Sequence, residues 1–159
     1  MFKVLLATDG SGFSLRAADY VANMFRHRAD LEITVLYVEE VNPMLLSPTS
    51  AASMPQMPIL PDQVTEALST IQEHMEKERN TILASTMERF ASLGKRATSL
   101  SQMGRPADII CDIADQENVD LVVVGSSGKG VMKRALLGSV SYKVVHQAKV
   151  PVLVVREKD

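Results

Sequence analysis

The residues best suited to chemistry in this chain lie in a glycine-rich segment, from Gly125 to Ser139, between an apolar run and a segment with helical periodicity. Glycines lack a Cβ and accept positive φ, so such a loop can turn its main-chain N–H groups toward a phosphate and let it approach closely. The end of the segment, Gly138-Ser139-Val140, opens the predicted helix, whose free N–H groups and positive dipole end favour an anion. The pattern predicts a phosphate-binding loop, with candidate residues Gly125, Ser126, Gly128, Lys129, Gly130, Gly138, Ser139 and Val140.

This loop differs from two common phosphate-binding fingerprints. Gly128-Lys129-Gly130 lacks both the Ser or Thr that follows Lys in a Walker A motif and the upstream glycine spacing. A dinucleotide fingerprint would follow the first strand, where Leu15 stands in place of the third glycine. Lys129, Lys133 and Arg134 add positive charge to the loop, although a solvated face is the commoner role for such residues.

Two further candidate positions are Thr8 and Asp9, at the end of the first apolar run. If the first and fourth strands are neighbours, their carboxyl ends form the crevice at the topological switch point, where open parallel sheets bind ligands. Asp9 and Gly125 then face the same cleft. A carboxylate there can accept hydrogen bonds from ribose hydroxyls or lie near a phosphate-bound metal. Capping of the first helix, with no ligand, is an about equally good explanation of Asp9 alone.

Five apolar runs alternate with helical patterns along the chain. This order predicts an α/β fold, an open five-stranded parallel sheet that is doubly wound and Rossmann-like, with helices on both faces. The fourth run is the most concentrated in apolar residues, which favours the sheet centre, whereas the third is more polar and favours an edge. The predicted strands are residues 2–7, 33–38, 96–102, 119–124 and 150–155, and the four helices begin near residues 11–14, 62, 105 and 139. The apolar stripe of the second helix runs from Val64 and Leu68 through Ile71 and Met75 to Phe90.

The length and composition of the chain predict one cytoplasmic domain over residues 1–159, with a Pro/Met-rich loop insertion at about 41–61. The formal net charge of −2 and the absence of Trp argue against a nucleic-acid partner. No signal peptide is expected, and no apolar stretch reaches the roughly 20 residues that span a bilayer. The single cysteine excludes an internal disulfide and fits a reducing compartment.

Several of these segments together resemble the universal stress protein family, in its small single-domain form. The most discriminating feature is the spacing of Gly125, Gly128 and Gly138-Ser139, with two and nine residues between them, which is similar to that of the ATP-binding members. The chain departs from the family at Val131, where a small residue is common, and in the insertion. The matching segments are residues 4–11, 36–38, 104–110, 125–139 and 150–155.

The resemblance implies a fold like that of the adenine nucleotide alpha-hydrolases and a role for each matching position. Asp9 would approach the ribose, and the main chain of Val38 would meet adenine. The glycine loop with Ser139 and Val140 would hold the ribose and the phosphates of ATP, ADP or AMP, and Mg or Mn would bind to the phosphates. Family members usually pair as homodimers through the last strand, here residues 152–155.

Three functions remain open at this point. The first is a nucleotide-responsive regulatory module in the stress response, acting on an unknown protein partner. The second is a slow ATPase or autophosphorylating protein with Ser139 or Ser141 as acceptor, although no Asp, Glu or His is obviously placed as a base. The third is a nucleotide-free dimeric scaffold, which the fold alone does not exclude.

Overall fold

Over residues 1–40, 61–128 and 137–156, which the computed structural model describes, five strands alternate with four helices. The first and fourth strands are short apolar runs that end at turn-forming or polar residues, as expected for strands buried on both faces. The third strand is more polar and has no buried residue. The elements are β1 (Phe2–Thr8), α1 (Gly12–Met24), β2 (Leu31–Glu40), α2 (Pro61–Ala91), β3 (Ala97–Gly104), α3 (Pro106–Gln116), β4 (Leu121–Gly125), α4 (Ser139–Gln147) and β5 (Val152–Val155).

The strands form one parallel sheet in the order β3-β2-β1-β4-β5. Leu6 of β1 is in register with Val35 of β2 on one side and with Val123 of β4 on the other. This confirms the open five-stranded parallel sheet, the pairing of the first and fourth strands, and the edge position of β3. The prediction that β4 lies at the centre is wrong, because β1 lies there. An apolar run indicates that a strand is buried on both faces. Because β1 and β4 are both buried in this way, the runs do not predict which of them is central.

Two apolar cores lie on the two faces of the sheet, so the predicted helices on both faces are confirmed. Alternate residues of β1 point to opposite faces: Leu6 packs in one core with α1 and with Phe90 of α2. Leu5 packs in the other with Ile110 of α3 and Val144 of α4. The two-residue period of a strand therefore supplies both cores from a single apolar run.

Among the residues of the long helix α2 whose side chains the structure describes, 65–91, the buried ones lie in the C-terminal part. Ile82 and Phe90 are buried, whereas Leu68, Ile71 and Met75 are exposed. The apolar stripe of the sequence is therefore buried at its later members and exposed at Leu68, Ile71 and Met75. The physical reason is length: 31 residues of helix extend about 46 Å, twice the span of the seven-residue central strand at about 23 Å.

The element ends differ from the predictions by a few residues. The helix after the predicted insertion begins at Pro61, one residue inside the segment predicted as loop, and residues 41–60 lie outside the described part. Strand β3 continues to Gly104 because it stays in register with β2 as far as Glu40. Within the described residues, no helix is both long enough and apolar enough to cross a membrane.

Candidate functional site

A pocket of about 340 Å³ lies at the carboxyl ends of β1, β2 and β4. Its volume falls in the range of about 300–1,000 Å³ that is usual for small-molecule sites. From β1 the chain continues to β2 on one side of the sheet, while β4 lies on the other, so the pocket occupies the switch point where such sheets bind ligands. The predicted site residues that line it are Thr8, Asp9, Val38, Gly125, Gly128, Gly138, Ser139 and Val140.

Of the other three predicted site residues, the structure describes only Ser126. Ser126 is buried but does not line the pocket, and its main chain joins neighbouring segments. Its N–H donates to the Val155 carbonyl at 2.8 Å, and its carbonyl accepts from the Gly138 N–H at 2.8 Å. These bonds tie the start of the loop to its end. Lys129 and Gly130 lie outside the described residues.

Gly125 has a packing reason to be glycine. A Cβ at this position would lie 2.8 Å from the carbonyl carbon of Phe13 and 3.0 Å from its oxygen. The end of β4 therefore passes directly against the first turn of α1. The Gly125 carbonyl also accepts a hydrogen bond from the buried Ser141 hydroxyl at 2.6 Å. Sequence reasoning gave Gly125 only a ligand-binding role and missed this contact.

Gly128 brings the loop against Asp9. A Cβ at Gly128 would lie 2.8 Å from Oδ2 of Asp9. The other carboxylate oxygen of Asp9 accepts the Ser11 N–H at 3.0 Å, which forms a local turn after β1. The N-cap of α1 is Ser11, whose Oγ accepts from the Ser14 N–H. Asp9 is therefore not the helix cap, and its carboxylate lies beside the glycine-rich loop, as the ligand-binding hypothesis requires.

A buried hydroxyl network fixes the end of β1. Thr8 Oγ1 lies 3.2 Å from both Ser14 Oγ of α1 and Thr86 Oγ1 of α2. The Gly10 N–H donates to Thr8 Oγ1 at 3.3 Å, and Gly10 has a φ of +76°, which favours glycine. Both α1 and α2 thus hold the turn that carries Asp9.

The first turn of α4 opens onto the pocket. Its N-cap, Gly138, is extended at φ −62° and ψ 157° and has no side chain to cap the helix. Ser139 and Val140, the next two residues, line the pocket. The first N–H groups of an α-helix have no partner within the helix and carry the positive end of its dipole. The pocket therefore has a set of main-chain donors suited to an anion.

Sequence reasoning missed several lining residues, among them Tyr37, Glu40, Pro106 and Ser127. Tyr37 and Glu40 come from the carboxyl end of β2, and the order of strands would have pointed to them. Asp9 and Glu40 are the acidic side chains among the described lining residues. Over the same part of the chain, no group of three or more His, Cys, Asp or Glu comes together as a metal site.

The comparison with protein families matches residues 1–156 to the universal stress protein family. A universal stress protein of Thermus aquaticus is 37% identical over 98% of this chain and 100% of its own length. One from Methanocaldococcus jannaschii is 31% identical over 98% of this chain and 82% of its own length.

Solved structures of related proteins share the fold. A protein of M. jannaschii, 26% identical, has a TM-score of 0.75 over 99% of this chain and 97% of its own. A universal stress protein family protein of Arabidopsis thaliana with AMP bound is 18% identical and has a TM-score of 0.68, over 99% of this chain and 93% of its own. A universal stress protein in complex with cAMP, 23% identical, has a TM-score of 0.63 over 98% and 96%. With its parallel sheet, its switch-point pocket and these matches over nearly its whole length, the chain belongs to the universal stress protein family.

Proposed function

We propose that this protein binds an adenine nucleotide, ATP, ADP or AMP, in the pocket at the ends of β1, β2 and β4 and acts as a cytoplasmic, nucleotide-responsive module in the stress response. The observation that carries the proposal is the meeting of Asp9, Gly128 and the open first turn of α4 in one pocket. Structural neighbours in complex with AMP and cAMP support the choice of an adenine nucleotide. Occupancy would regulate a protein partner only if the nucleotide favours one of two conformations.

In the proposed complex each part of the nucleotide meets a different wall. Adenine lies at the end of β2, against the main chain of Val38, and the carboxylate of Asp9 accepts hydrogen bonds from the ribose hydroxyls. The phosphates lie against Gly128 and the N–H groups of Ser139 and Val140. This arrangement places negative charge at the positive end of α4.

A divalent cation, Mg²⁺ or Mn²⁺, fits this pocket as a companion of the phosphates. Mg²⁺ prefers oxygen ligands and commonly keeps several waters, with one or two carboxylates and the substrate phosphates. Asp9 supplies such a carboxylate beside Gly128. The described residues therefore suit a cation that the phosphates hold in part, rather than a site made by the protein alone.

The autophosphorylation alternative has less support from the two candidate serines. Both Ser139 and Ser141 line the pocket, but proximity to a phosphate is equally expected of residues that only bind it. The Ser141 hydroxyl is buried and donates a hydrogen bond to the Gly125 carbonyl, which it would give up on phosphorylation.

We further propose that the protein is a homodimer paired through β5. This strand lies at an edge of the sheet, and Val152 to Val154 are only partly buried. Tyr142 and Val145 of α4 are exposed as well, and α4 packs against β5. An apolar edge strand without a partner favours pairing with another chain. Light scattering is expected to give twice the chain mass of 17.4 kDa at micromolar concentration, and a monomer mass would contradict this proposal.

Nucleotide binding is tested by thermal unfolding of the purified protein, with bound nucleotide first removed. Saturating ATP or AMP with Mg²⁺, at about 100 times the Kd, is expected to stabilise the folded state by about 2.7 kcal/mol. For a chain of this size that raises the Tm by roughly 5–10 °C. Guanine and cytosine nucleotides at the same concentration are the control. Unchanged Tm with millimolar ATP, ADP and AMP would contradict the proposed function and favour a nucleotide-free scaffold.

A further inference from the structure

The hydroxyl of Ser127 is a buried polar group without a partner. Ser127 is 6% exposed, and its Oγ has no hydrogen bond in the structure. Buried hydroxyl groups in folded proteins are nearly always hydrogen-bonded, because an unsatisfied one loses its bond to water and gains nothing. A hydroxyl left in this state calls for an explanation from its surroundings.

Those surroundings are the pocket and the start of α4. Ser127 lines the pocket two residues after the end of β4. A Cβ at the N-cap, Gly138, would lie only 3.3 Å from the Cα of Ser127. Ser127 therefore lies beside the open first turn of α4, yet its hydroxyl makes no capping bond to it. Rotation about a single bond, χ1, selects the direction of this hydroxyl among three staggered positions.

The neighbours of Ser127 decide what kind of group satisfies it. The first-turn N–H groups of α4 are donors and need an acceptor. A phosphate oxygen is an acceptor that can take several hydrogen bonds at once, including one from a hydroxyl, and the helix dipole favours its charge. A ribose hydroxyl can also accept a hydrogen bond, but it carries no charge, so the helix dipole favours it less than a phosphate.

We propose that the Ser127 hydroxyl donates a hydrogen bond to a phosphate oxygen of the bound nucleotide and thereby selects adenine nucleotides over adenosine. The inference rests on the proposed function and adds to it a residue that discriminates between ligands. The bond forms only with ligand, which explains why the hydroxyl has no partner without one. The Ser127 hydroxyl has no hydrogen bond to the protein itself and serves to recognise phosphate.

The test measures the affinities of AMP and adenosine for the wild-type protein and for Ser127→Ala by calorimetry, together with the Tm of each protein without ligand. Because the variant loses a hydrogen bond to a charged group, its affinity for AMP is expected to fall at least about 10-fold. Adenosine affinity should stay within about twofold. The Tm of the free variant should be unchanged or higher, because an unsatisfied hydroxyl has been removed; a purely structural hydroxyl would lower it.

Other outcomes overturn the inference in distinguishable ways. Equal weakening of AMP and adenosine would assign the hydroxyl to the ribose or the base. Unchanged AMP affinity in the variant would show that the ligand does not use Ser127, while leaving the proposed function intact. A wild-type protein that binds neither AMP nor ATP would remove the proposed function and this inference with it. Ser127→Thr, which keeps a hydroxyl, is expected to retain more AMP affinity than Ser127→Ala if it folds.

Discussion

Substitution of Gly128 by valine is expected to abolish adenine-nucleotide binding and to leave the protein folded. The Cβ of the new side chain would begin 2.8 Å from Oδ2 of Asp9, and its two methyl groups would extend into the pocket. Gly128 is not among the positive-φ glycines of the described chain, so a side chain there is not strained by a left-handed backbone. The nearest obstacle is the end of an acidic side chain that can move, not the core. We expect AMP affinity to fall more than 100-fold, measured by calorimetry.

The matched control is Gly12→Val, which places the same side chain in the first turn of α1. A Cβ there would meet only the guanidinium of Arg16, at 3.9 Å or more, and Gly12 does not line the pocket. Its AMP affinity should equal that of the wild type. If Gly128→Val is folded by circular dichroism and binds AMP normally, the glycine-rich loop is not the binding loop.

Substitution of Gly125 by valine is expected to have the opposite effect, a large loss of stability. Here a Cβ would lie 2.8 Å from a backbone carbon of Phe13, and backbone cannot move aside as a side-chain terminus can. Forcing extra atoms into a packed site typically costs about 1–3 kcal/mol, and we expect the upper end or beyond. Strand β4 and helix α1 would have to separate. Urea unfolding should show a lower midpoint without ligand, with a similar slope.

The contrast between the two glycines is the informative result. Gly125 and Gly128 both line the pocket and belong to the same sequence pattern, yet their nearest neighbours differ in kind. If Gly125→Val unfolds at the same urea concentration as the wild type, the close approach of β4 to Phe13 is wrong. The pattern alone treats the glycines as equivalent, whereas the structure separates a packing glycine from a pocket glycine.

Much of the fold could be predicted from the sequence because the buried strands are recognisable as short apolar runs. A run such as Val122 to Val124 is buried on both faces and predicts a parallel strand. The order of strands was less accessible, since pairing depends on contacts between segments far apart in the chain. Strand β1 is at the centre because it pairs with both β2 and β4. Periodicity predicted helix α2 correctly but not how much of it is buried, since Leu68 and Ile71 have helical spacing and are nevertheless exposed.

The candidate site was likewise predictable in part from the sequence. Asp9 and Gly128 were predictable because polar and glycine residues after parallel strands meet at one edge of the sheet. Ser126 and Ser127 could not be told apart from the sequence, since both are serines in one loop. The structure directs the main chain of Ser126 to Val155 and Gly138, and leaves Ser127 in the pocket with an unsatisfied hydroxyl. Only the path of the backbone decides which of two neighbouring serines reaches a ligand.

A crystal structure of the protein grown with millimolar AMP and Mg²⁺ tests the central claim most directly. We predict the ribose beside the Asp9 carboxylate and a phosphate oxygen 2.7–3.1 Å, about the length of a hydrogen bond, from the Ser139 or Val140 N–H. An empty pocket at that concentration, or a nucleotide bound elsewhere on the protein, would contradict the account.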